Sequence, residues 1–111
     1  MSNQNLNFMS FDGTEGEQIS LQEGAELTQN YRNANPNKRI GHLMGEEIIN
    51  QILAQPGCKG IRFYYGLDSN GKKEIVLVGT DANGNDMVMG IIADKAKPCP
   101  IYCSSQNPLN S

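Results

Sequence analysis

From residue 20 onward the apolar positions repeat first with a helical period and then with the period of a strand. Ser20-Leu21-Gln22-Glu23 spells a capping box: the Ser hydroxyl accepts from the third helical N–H and the Glu reaches back to the Ser N–H. Leu21, Ala25, Thr28 and Tyr31, with Leu27 beside them, follow at helical spacing and predict a first helix over 21–33. Asn35-Pro36-Asn37 ends it, because the residue before a proline is pushed out of the α region. Lys38 to Met44 has no clear period. Gly45 then serves as an N-cap, with Glu46 and Glu47 in the first turn, where the helix dipole favours negative charge. Ile48, Ile49, Ile52 and Leu53 give this second helix one broad apolar face, and Gln55-Pro56-Gly57 closes it.

The period then changes to two. Ile61, Phe63, Tyr65 and Leu67 point one way and Arg62 and Tyr64 the other, which predicts a strand. Asn70-Gly71 carries the signal of a tight hairpin turn with positive φ at both central residues. Glu74 to Thr80 is a second strand, Asp81-Ala82-Asn83-Gly84-Asn85 repeats the turn chemistry, and Met87 to Ala93 is a third strand. The expected fold class is α+β: two N-terminal helices followed by a three-stranded antiparallel β-meander, with the helices on one face of the sheet. Val76, Val78, Val88 and Ile92 make the other face apolar too, so something must cover it. The candidates are the N-terminal arm, the C-terminal tail or a second copy of the chain.

The expected organisation is an arm or edge strand over 1–19, carrying Leu6, Phe8 and Phe11, a core over 20–96, and a Pro- and Cys-containing tail over 97–111. A chain of 111 residues suits one domain. Nine Lys and Arg against twelve Asp and Glu give a net charge of -3, and the basic residues are scattered. A nucleic-acid binder concentrates positive charge on one face, so nucleic acid is excluded as an expected partner. No apolar run approaches the roughly 18–20 residues that cross a bilayer, and the polar start lacks the pattern of a signal peptide. The expectation is a cytoplasmic protein with no membrane partner.

Several of these segments together resemble a known family. Pro56-Gly57-Cys58, Arg62-x-Tyr64-Tyr65-Gly66, Val78-Gly79-x-Asp81-Ala82-Asn83-Gly84-Asn85-Asp86, Cys99-Pro100-x-Tyr102-Cys103 and Asn107-Pro108-Leu109-Asn110 look like a family of small uncharacterised bacterial proteins, mainly of the Bacteroidetes type. The resemblance covers residues 20–111. It implies a bacterial, stand-alone domain and supplies no activity, substrate or catalytic residue.

The residues that bear chemistry are Cys58, Cys99, Cys103 and the single histidine, His42. Three thiols and an imidazole are the ligand set of a tetrahedral structural zinc site, although His42 and Cys58 do not form the usual close ligand pair. The same thiols also admit a disulfide, either Cys99–Cys103 or Cys58 to one of them, or free packing as small hydrophobes. The Asp-x-Asn-Gly loops at Asp68 and Asp81 lack the ligand spacing of a calcium loop. No nucleophile elbow, phosphate loop or zinc-protease helix is present, and no catalytic residue or cofactor is assigned. The expected function is a non-enzymatic interaction or structural module with a protein partner or a second copy. The alternatives are a thiol-based zinc-binding or redox-responsive protein and a small cysteine-dependent enzyme.

Overall fold

The structure, a computed structural model, describes residues 9–111. Leu6 and Phe8 of the expected arm lie outside the described residues. Helix α1 spans Leu21–Ala34 and begins on the capping box: Glu23 N–H donates to Ser20 Oγ at 3.0 Å, and the Glu23 carboxylate accepts from Ser20 N at 3.2 Å. No residue of α1 is buried. Its last turn is held by polar contacts instead. Tyr31 OH accepts from Lys73 Nζ at 2.7 Å, and Arg32 donates to the carbonyls of Leu109 and Ser111 at 2.6 and 2.7 Å.

The predicted order, two helices and then one meander, is overturned. A short strand β1 (Gly41–Leu43) lies between α1 and helix α2 (Glu46–Leu53), and the strands of the described residues fall into two sheets. One sheet pairs β1 with β5 (Lys97–Cys99), antiparallel, with His42 opposite Pro98. The other has the order β2-β3-β4, built from β2 (Gly60–Leu67), β3 (Lys73–Thr80) and β4 (Ile92–Ala93). Helix α2 packs on this second sheet: Ile52 and Leu77 are fully buried against Ala93, with Ile48, Ile49, Cys58 and Ile75 around them.

The third strand is shorter than the predicted span from Met87 to Ala93. Met87 N–H still reaches Gly79 O at 2.8 Å, but Gly90 N–H turns back to Met87 O at 3.0 Å. Gln55 Oε1, at the end of α2, then takes Ile91 N–H at 2.8 Å. A side chain from another element replaces the ladder there, so Val88 lies in a turn and only Ile92 and Ala93 pair with β3.

Both Asn-Gly turns sit where the sequence puts them but are built differently. Only the glycines have positive φ, 76° at Gly71 and 83° at Gly84. Asp68 N–H bonds to Lys72 O at 2.9 Å and Gly71 N–H to Asp68 O at 2.9 Å, and Asp81, Gly84 and Asn85 repeat that pattern. This is the three-residue loop that ends in a glycine bulge. The aspartates organise it. Asp68 Oδ1 accepts from Asn70 N and Lys72 N at 2.8 and 2.9 Å, and Asp81 Oδ1 accepts from Asn83 N and Asn85 N at 2.9 and 3.0 Å. The Lys72 amide, followed by that of Asn70 and the charge of Arg39, holds the Asp68 carboxyl below its ordinary value.

Candidate interaction site

The structure does not gather the cysteine–histidine set. Cys99 and Cys103 are bonded to each other as a disulfide, with Cα atoms 4.7 Å apart. Cys58 is the free cysteine; its thiol donates to Gly60 O at 3.2 Å and packs against the core. His42, on β1, has a side chain only 4% exposed, and its Nε2 lies 3.1 Å from Lys73 O. Among the described residues no group of three or more His, Cys, Asp or Glu is placed to hold a metal ion. His42 and Cys58 are each engaged with a backbone carbonyl, and no hydrogen bond joins the two side chains.

His42 has a structural task that the sequence did not reveal. In the β2–β3 register Lys73 pairs with Leu67, and the hydrogen-bonded pair Asp68–Lys72 next to it turns the Lys73 carbonyl away from β2. Among the described residues no strand lies beside β3 at that point. His42 sits at that carbonyl, and Arg39 Nη1 donates to it at 2.8 Å while meeting the Glu74 carboxylate at 3.2 Å. Two side chains thus close the far edge of β3 where β4 does not reach.

The opposite edge of the sheet is different. The same alternation directs the backbone groups of Arg62, Tyr64 and Gly66 toward β3, and those of Ile61, Phe63, Tyr65 and Leu67 outward. Among the described residues no backbone group bonds to that outer side. The side chains along it are exposed as well: Phe63 54%, Tyr64 46%, Tyr65 77% and Leu67 74%.

Beside this edge, α1 stands off the sheet and leaves a groove of about 620 Å³. Leu27 and Tyr31 of α1 face Phe63, Tyr65, Lys73 and Ile75 across it. The Lys73 ammonium closes one end, 4.5 Å from the centre of the Tyr31 ring and 5.1 Å from that of Tyr65. The groove is therefore mostly apolar, with the Lys73 charge spread over two ring faces. It is the size of a pocket that takes an apolar side chain or a small ligand.

Sequence patterning placed Ile61, Phe63, Tyr65 and Leu67 on one face of a strand but marked neither them nor the groove as a site. The alternation in 61–67 reads the same whether a strand is central or at an edge. No helix of the described residues is long and apolar enough to cross a membrane. Compared with known proteins, the chain matches no family model, no curated sequence and no solved structure.

Proposed function

We propose that this protein is a non-enzymatic interaction module that binds protein by adding an extended segment to the outer edge of β2. The observation that carries the reading is the combination on one strand of outward-facing backbone groups and exposed Phe63, Tyr65 and Leu67 beside an apolar groove. Strand addition draws affinity from main-chain hydrogen bonds and specificity from pockets for alternate side chains, and both components lie together here. The engagement of His42 and Cys58 with backbone carbonyls supports a module without cysteine-dependent catalysis.

The reading keeps the protein in the cytoplasm, as a member of the bacterial family its motifs resemble. In a reducing compartment the Cys99–Cys103 disulfide is transient, which gives the tail a secondary redox response. The test is a selection of displayed peptides on the wild type and on Leu67→Lys and Tyr65→Lys variants. Extended apolar peptides that bind the wild type and lose at least tenfold in affinity on both variants are the expected result. Binders that ignore both substitutions would refute this use of the edge.

A further inference from the structure

We infer that the partner at this edge is a second copy of the same chain, joined by antiparallel pairing of β2 with itself about a two-fold axis at Tyr64. The inference rests on the reading of β2 as an interaction edge. It starts from the way the other sheet edge is closed. The far side of β3 is occupied by His42 and Arg39 at Lys73, by Met87 N–H at Gly79, and by β4 between them. Strand β4 is only two residues long. Short strands, capping side chains, charges and prolines are the means by which sheets prevent pairing between copies. The outward-facing positions of β2 carry none of them: the strand runs for eight residues with no proline and no lysine.

The register of such a pair follows from the backbone. Outward-facing residues must meet outward-facing residues, and a two-fold axis at Tyr64 satisfies this at every step. Phe63 then exchanges hydrogen bonds with the partner's Tyr65, and Ile61 with the partner's Leu67. These residues share one face of the sheet, so each contact is aromatic or aliphatic against its like. Arg62 falls opposite the partner's Gly66. It is the only charge in the strand, and it is already tied to Asp86 at 2.7 Å. The pairing thus apposes no like charges. Tyr64 meets the partner's Tyr64 as a non-hydrogen-bonded pair on the opposite face.

The area is adequate. Aromatic side chains present roughly 150–250 Å² each, so at their present exposures Phe63, Tyr64 and Tyr65 alone offer on the order of 300–400 Å² per protomer. That approaches half of the roughly 800 Å² per partner of a standard interface, and Leu67, the strand edges and the groove walls add to it.

The test is the mass of the full chain by sedimentation across a concentration series, with two charge variants. Phe63→Glu with Tyr65→Glu sets carboxylates against each other twice across the axis; Phe63→Lys with Tyr65→Lys does the same with ammonium groups. The wild type is expected to dimerise, each double variant to be monomeric with at least a hundredfold loss of self-affinity, and an equimolar mixture of the two variants to form a heterodimer. A misfolded variant would not be rescued by mixing. As a second measurement, Tyr64→Cys on oxidation should give a covalent dimer that the wild type, which retains Cys58, does not. A wild type monomeric throughout overturns the inference, as does a dimer that survives both charge variants while Tyr64→Cys yields no covalent dimer. A monomer that still selects extended peptides through Tyr65 overturns self-pairing alone and leaves the interaction reading standing.

Discussion

Asp86 holds Arg62 at 2.7 Å through one carboxylate oxygen and accepts the Tyr64 hydroxyl with the other. One acidic side chain thereby ties two same-face residues of β2 to the loop that follows β3. Arg62 also donates to Gly84 O at 3.1 Å, so the second glycine turn is fastened to the same point. Replacing Asp86 by Ala removes both bonds and leaves Arg62 half-free. The expected cost is about 1–2 kcal/mol, small for an ion pair this exposed and larger for the added hydroxyl bond. Tyr64→Phe should cost less than Asp86→Ala. Urea unfolding of the two variants and of their combination measures both terms, and the combined loss should fall short of the sum.

The two glycine turns should respond unequally to a side chain. Both residues have positive φ, so Gly71→Val and Gly84→Val each strain the backbone by about 1 kcal/mol or more. Open space surrounds a Cβ at Gly71, whereas one at Gly84 would stand 2.6 Å from Phe11 Cε2. Gly84→Val is expected to be clearly the worse in a thermal melt. Equal losses would mean that Phe11 does not rest on this turn.

Acid should weaken the first turn through Asp68. Its folded value lies below 3.8, chiefly because the Lys72 amide donates to the carboxylate. A depressed carboxyl stabilises the fold fully above its unfolded value, and that contribution is lost as pH falls through the depressed folded value. Asp68→Asn should therefore be less stable than wild type at neutral pH, and the gap should close at pH well below 3.8. Denaturant midpoints of both proteins across this range give the comparison. A gap that widens in acid would reverse the assignment.

How much of this was legible in the sequence depended on whether the determinant was local. The capping box at Ser20 and Glu23 set the start of α1, and the alternation in 61–67 and 74–80 set the long hairpin. Strand β1 was missed because three residues, Gly41–Leu43, carry no period and are defined by a partner strand, Lys97–Cys99, far along the chain. The end of the predicted third strand failed for a similar reason: Gln55 displaces the ladder from another element. The turn type differs from the expected one because the leading aspartate, Asp68 or Asp81, caps the loop amides and sets a three-residue loop that Asn-Gly alone does not specify. At the site, Phe63 and Tyr65 were visible as one face, whereas the openness of the edge emerged only from the register and the positions of His42 and Arg39.

The Cys99–Cys103 bond closes a short loop at the end of β5, the strand that pairs with β1. Closing so few residues contributes about 2 kcal/mol in the chain-entropy account. A reductant should lower the melting temperature of the wild type by several degrees and leave Cys99→Ser with Cys103→Ser unaffected. A chelator should change neither. A wild type indifferent to reductant would show that the bond does not stabilise the β1–β5 pair.

Hydrogen exchange along β2, read residue by residue in dilute protein, decides whether this edge of the sheet is open. The account makes β2 an edge whose alternate amides face solvent until a partner strand arrives. Arg62 and Tyr64, bonded to β3, should exchange slowly, while Phe63 and Tyr65 exchange fast and gain protection as the concentration of the protein or of a selected peptide rises. Uniform slow exchange of all four amides at the lowest concentration would contradict the account, because the edge would then already be covered within the single chain.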